Sequence, residues 1–206
     1  MRRAKRTIIA LAAAAAAIVC AAPASADQQS DPALGVVLRL AIAESDCEHG
    51  TDRYDTEVFF TLQEPRLRSY VPATQERVEI LREVWCEAHR IVERYRKEQG
   101  YTVKLPPELI LAVIDTESRF NRYAVSSAGA VGLMQVMPFW PKRLGVENRL
   151  FGSIGFNIRM GCEILAYYMQ AERNDYRRAL ARYNGSLGRR EYPDLVLTRL
   201  SLRWHG

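Results

Sequence analysis

Between Pro106 and Ser118 the chain runs Pro-Pro-Glu-Leu-Ile-Leu-Ala-Val-Ile-Asp-Thr-Glu-Ser. Paired prolines suit a helix start, and Ile110, Val113, Ile114 and Glu117 fall at i, i+3, i+4 and i+7 of one face. That stripe faces the interior, so Glu117 stands where the period calls for a hydrophobe. A carboxylic acid held there loses its water, its pKa rises, and it stays protonated near neutral pH, as a general acid must. The alternative is a helix that frays one turn early and leaves Glu117 in water. The period alone leaves both open.

Helical patterns fill most of the remaining sequence. Asp31-Pro32 opens a helix to about Ala43, and Glu44 to Thr56 is polar and turn-like. Val58 to Leu62 is short and ambiguous. Pro72 starts a long amphipathic helix that Gly100 stops, with an apolar stripe of Val78, Leu81, Trp85, Ala88, Val92 and Tyr95. Asn121 to Val131 is a loop rich in Ser, Ala and Gly, Gly132 to Met137 reads as a short helix, and Pro141 to Leu144 as another turn. Ile154 to Glu172, Tyr176 to Tyr183 and Pro193 to Trp204 complete the set. Alternating runs of strand length are scarce, so the expected class is all-α.

The first residues read as a secretory leader. Arg2, Arg3, Lys5 and Arg6 precede an alanine-rich apolar segment, and Ala24-Ser25-Ala26 is a small-x-small cleavage site. Cys20 follows Ile18-Val19, which does not suit a lipoprotein signal. The expected organisation is a signal peptide at 1–26, an N-terminal helical extension at 27–87, and a domain at 88–206. The full chain has 29 Lys+Arg and 24 Asp+Glu; without the leader the balance is 25 against 24, near +1. No basic tract with interleaved aromatics appears, so no nucleic-acid partner is expected. No transmembrane segment is expected after cleavage, and the location expected is periplasmic.

Cys47, Cys86 and Cys162 follow the leader, and an exported compartment permits one bridge among them. The face of Cys86 carries Glu79, Arg82, Glu83, Arg90 and Glu93, which favours pairing with an overlying segment and hence Cys47, leaving Cys162 buried in a later helix. His49, His89 and His205 are scattered and read as surface residues. No cysteine pair has metal-ligand spacing, so neither a metal nor another cofactor is expected.

Downstream of Glu117 several motifs occur in order. Glu117-Ser118-Arg119-Phe120-Asn121 leads to Ala124-Val125-Ser126-Ser127-Ala128-Gly129-Ala130 and then to Gly132-Leu133-Met134-Gln135-Val136-Met137-Pro138. Asn157-Ile158 with Gly161 and Tyr183-Asn184-Gly185 follow. Over about residues 88 to 200 this resembles the soluble lytic transglycosylase catalytic domain family. The resemblance implies a lysozyme-like helical fold, similar to goose-type lysozyme, with a groove for a peptidoglycan strand. It implies cleavage of the β-1,4 bond between N-acetylmuramic acid and N-acetylglucosamine by one carboxyl group, giving a 1,6-anhydro product without a cofactor.

On matched positions the resemblance implies Glu117 as acid and base, Ser126 near the substrate's N-acetyl or ring-oxygen region, and Met134 and Gln135 at the groove. Tyr183 matches the tyrosine that orients the glutamate, and Asn184 ends that helix. Phe139 and Trp140 are an aromatic pair that either stacks on sugars or belongs to the core. Asp115, two residues from Glu117, falls nearly opposite on a helix, which favours the single-acid scheme. Arg182, Ser186 and Ile164 depart from the family's common pattern. The alternatives are a noncatalytic peptidoglycan-binding or scaffold protein on the same fold and a true muramidase hydrolase. Residues 27–87 are expected to narrow the groove or to dock an envelope protein partner.

Overall fold

A computed structural model describes residues 53–140 and 152–205. The expected helix at Asp31–Ala43, the turn at Pro141–Leu144, Cys47 and the leader lie outside them. Among the described residues six α-helices are complete: α1 (Arg53–Leu67), α2 (Thr74–Gln99), α3 (Pro107–Glu117), α4 (Ile154–Ala171), α5 (Tyr176–Tyr183) and α6 (Glu191–Arg199). A π-helical turn, Leu200–Trp204, ends the described chain. The described residues contain isolated bridges but no strand, so the class is all-α.

The ambiguous stretch Val58–Leu62 lies inside α1, and the last helix begins at Glu191 instead of Pro193. The larger correction concerns Gly132–Met137, which is not a helix. Gly132 (φ 82°) and Gln135 (φ 49°) adopt left-handed backbone, and Val131 bridges both Val125 and Val136. Two left-handed residues within four positions break the right-handed path that the apolar pattern suggested.

α3 is the centre of the fold. Every residue from Leu109 to Asp115 is buried, so the helix is enclosed on all sides as a core helix must be. Pro107 occupies its first turn, where the missing N–H costs nothing. α2 and α4 pack together beside it, α6 and the π-turn cover another side, and α1 lies on α2. Residue 88 falls within α2, and a single apolar core runs from Phe59 to Trp204. Gln63 and Arg66 of α1 donate to the Trp204 carbonyl at 3.1 and 3.2 Å, which ties the first described helix to the last turn.

The expected stripe of α2 is buried at Leu81, Trp85, Ala88 and Tyr95, but the buried face is wider than the apolar residues alone. Val78 is exposed, while Arg77, Glu87 and Arg90 are buried. Arg77 turns back to donate to Glu64 and to the Val71 carbonyl, each at 2.8 Å. Glu87 and Arg90 enter the α2–α4 interface, where Arg90 bridges Glu87 at 2.5 Å and Glu163 at 2.6 Å. Arg94 meets Glu163 at 2.5 Å, and Arg159 meets Glu87 at 2.8 Å. Charges that a helical wheel assigns to water are thus the polar core of this interface, each satisfied by a partner. His89, expected at the surface, is half-buried with its ring 4.1 Å from that of Trp85.

Removing one member of this network strands the others in a dry interface. Glu163→Ala is expected to lower the unfolding free energy by about 3 to 5 kcal/mol in urea titrations. A loss below about 1 kcal/mol would mean that the charges are hydrated.

Candidate active site

α3 ends at Glu117 because the next residues cannot continue it. Ser118 caps the helix, and Arg119 (φ 51°) and Phe120 (φ 62°) are both left-handed. Two successive non-glycine residues in that region are strained, and tertiary packing holds them there. Phe120 is buried between Tyr70 and Trp204, with ring centroids 5.2 and 5.3 Å away. The Ser118 hydroxyl lies 2.8 Å from the Leu133 carbonyl, to which it donates, so the reversed chain is fastened to the end of α3.

The loop that follows is built from its own hydrogen bonds. The Ser126 N–H donates to the Ala130 carbonyl at 2.9 Å, and the Ser126 Oγ accepts from the Ala130 N–H at 3.0 Å. The Gln135 side-chain amide donates to the Gly132 and Ala124 carbonyls at 2.9 and 3.2 Å. Asn157 on α4 clamps the loop from beneath, accepting from the Met134 N–H at 2.8 Å and donating to the Val131 carbonyl at 2.9 Å. Glycine is required above it, since a Cβ on Gly132 would lie 2.4 Å from the Asn157 amide. Gly161, one turn further along α4, leaves room for Met134, whose atoms lie 2.5 Å from where a Cβ would stand.

These contacts sort the expected site residues. Ser126 and Gln135 are partly exposed on the loop but their polar groups are engaged in shaping it. Met134 is fully buried and packs in the core. Trp140 is likewise fully buried, while Phe139 remains partly exposed beside it. Asn184 caps α5 and is partly buried. The Tyr183 hydroxyl donates to the Met134 carbonyl at 2.7 Å. Tyr192 on the first turn of α6 donates its hydroxyl to Glu117 Oε1 at 2.5 Å. No spacing in the sequence marked Tyr192, although a tyrosine buried in a core needs a hydroxyl partner.

Glu117 keeps partial exposure as a residue, so a ligand can reach it. Its carboxyl is nevertheless surrounded by protein. Burial pushes its pKa from the usual 4.5 up to about 7, and the hydrogen bond from Tyr192 pulls the other way. The hydroxyls of Tyr183 and Tyr192 are pushed well up, first by burial and then by the Glu117 charge, so both remain protonated donors. Asp115 has a different fate. It is fully buried and receives Arg199 at 2.9 Å, Arg203 at 3.2 Å and the Trp204 indole N–H at 3.2 Å. With its oxygens occupied, it has none to spare as a base for water. Among the described residues no cluster of His, Cys, Asp and Glu suits a metal ion.

The raised pKa has a cost in stability. The folded state holds the Glu117 proton more tightly than the unfolded chain does, so this contribution is complete below pH 4.5 and is lost as pH rises through about 7. Glu117→Gln removes the penalty. Its stability relative to wild type is expected to rise between pH 4.5 and 8 by up to about 3 kcal/mol in denaturant titrations. A difference that does not vary with pH would place the carboxyl in water.

A family model described as Transglycosylase SLT domain matches residues 94–193. A protein named Transglycosylase from Enterobacteria phage PRD1 is 33% identical over 105 residues, covering 48% of this chain and 38% of that protein. Membrane-bound lytic murein transglycosylase C of Actinobacillus pleuropneumoniae serotype 5b (strain L20) is 48% identical over 48 residues, covering 23% of this chain and 12% of that protein. The protein of the same name in Sodalis glossinidius (strain morsitans) is 42% identical over 76 residues, covering 31% and 21%. The chain spans well under two thirds of the length of these relatives. Residues 94–193 enclose Glu117, its loop, the Asn157 clamp, Tyr183 and Tyr192, so the stretch that is similar to the transglycosylase SLT domain is the one that carries the candidate site.

Proposed function

We propose that the protein is a peptidoglycan lytic transglycosylase in which Glu117 acts as acid and then as base. The observation that carries this reading is the pairing of one desolvated carboxyl, on a residue that keeps partial exposure, with a second carboxylate, Asp115, already engaged by two arginines and an indole. Hydrolysis with two carboxyl groups needs one to protonate the leaving oxygen and another to attack or to activate water. Glu117 alone supports a different sequence. It gives its proton to the glycosidic oxygen as the C1–O bond of the muramoyl sugar breaks. The resulting Glu117 carboxylate then takes the proton of that sugar's C6 hydroxyl, whose oxygen closes on C1. Glu117 ends as it began, protonated, and no water enters the product.

Tyr192 fits both halves of this cycle. A phenol that stays protonated steadies the carboxylate formed after the first proton transfer, so Glu117 is not left as an isolated buried charge. Ser126, Gln135, Met134, Tyr183 and Asn184 serve the substrate indirectly in this scheme, by fixing the loop and the helix end that border Glu117. The leader, Cys47 paired with Cys86, and a periplasmic location belong to the same reading. Cys86 is not a free thiol whereas Cys162 is, which supports the pairing. Among the described residues no helix is long and apolar enough to cross a membrane.

Digestion of purified sacculi tests the chemistry. Mass spectrometry of the released muropeptides is expected to show 1,6-anhydro ends with wild type and at least a hundredfold slower release, on the order of a lost general acid, with Glu117→Gln. Reducing ends would indicate a hydrolase. No release at all, with binding to sacculi unchanged in Glu117→Gln, would indicate a noncatalytic binder.

A further inference from the structure

The general-acid reading gives Asp115 no chemical task, yet no other carboxylate in the catalytic helix is as heavily bonded. It is fully buried one half-turn before Glu117 and faces cations and donors from two other parts of the chain. Arg199 of α6 reaches its Oδ1 at 2.9 Å and also donates to its backbone carbonyl. Arg203 and the Trp204 indole of the π-turn reach its Oδ2, each at 3.2 Å, and the Tyr70 hydroxyl stands 3.5 Å from the same oxygen. Arg199 makes both of its contacts through Nη1, and charge-assisted hydrogen bonds from two arginines and an indole onto one carboxylate fix its orientation as well as its distance.

α6 is also the element that carries Tyr192. Tyr192, Val196 and Arg199 lie at i, i+4 and i+7, so they share one face, and Val196 between the two polar residues is fully buried. The two ends of that face grip two successive points of α3. Tyr192 holds Glu117 at one end, and Arg199 holds Asp115 at the other, roughly 10 Å along the helix. A helix attached at one point pivots; attached at two, it has a fixed angle. The groups facing Glu117 are the Tyr192 hydroxyl from α6 and Tyr183 from α5. Those facing Asp115 are Arg199, Arg203 and Tyr70.

We propose that Asp115 is a positioning residue: by clasping Arg199, Arg203 and Trp204 it fixes α6 against the end of α3 and thereby keeps the Tyr192 hydroxyl on Glu117. This rests on the reading of Glu117 as proton donor. Two adjacent carboxyl groups then divide the work, one reacting and the other setting the geometry of its neighbour's hydrogen bond.

The test is a double-mutant cycle on sacculus solubilisation, read as kcat and KM across pH. Tyr192→Phe removes the hydrogen bond that stabilises the Glu117 carboxylate, so the fall in rate at high pH moves upward. Asp115→Asn is expected to move it the same way and to lower kcat by roughly ten- to a hundredfold, with KM within about twofold. The double variant is then no slower than Tyr192→Phe alone. A lower melting temperature with an unmoved pH limb, or losses that multiply in the double variant, would overturn the proposal. If Asp115→Asn does not fold, Arg199→Gln, which removes the cation that Asp115 holds, replaces it under the same criteria. Full activity in Glu117→Gln would instead overturn the general-acid reading beneath it, a result that the cycle itself cannot produce.

Discussion

A helix with no face fit for water forces the rest of this chain to close around it. Seven successive residues of α3, Leu109 to Asp115, are buried, and that requires neighbours on every side: α2, α6 and the π-turn among them. Enclosure stops at Glu117, the last residue of the helix. The same packing that buries the stripe strips water from the carboxyl at its end, while the break at Ser118 leaves that residue reachable. The protonation state of the acid is therefore a consequence of helix packing, not of a neighbouring charge.

Surrounding elements fix what that acid meets. Phe120, wedged between Tyr70 and Trp204, turns the chain back, and Asn157 receives the returning loop from below. Most polar groups that a sequence reading would aim at a sugar are occupied in holding that loop. The loop is thus a rigid wall whose shape is set by its backbone. Its side chains matter mainly because they keep that backbone in left-handed conformations at Gly132 and Gln135.

Much of this was legible from periodicity, and the failures have physical causes. The helices, the acid on an apolar stripe and the burial of Cys162 follow from spacing, because each depends on a local period. Gly132–Met137 was misread because apolar residues near a glycine look helical until the bridges to Val125 and Val136 are known. The inward turn of Arg90 and Glu87 was invisible for a similar reason: their partner Glu163 lies on another helix, and charge is normally assigned to solvent. Tyr192 went unmarked because nothing in its spacing relates it to Glu117, and only three-dimensional placement brings its hydroxyl to that carboxyl. The spacing sets Asp115 apart from Glu117, but its arginine partners lie more than eighty residues away in sequence, beyond the reach of a local pattern.

The most direct measurement is a carbon-13 NMR titration of the Glu117 side-chain carboxyl, assigned by the signal that disappears in Glu117→Gln. Enclosure of α3 requires a midpoint near 7. A midpoint near the ordinary value of 4.5 would contradict it, because the carboxyl would then be hydrated and ionised at neutral pH, with no proton to give.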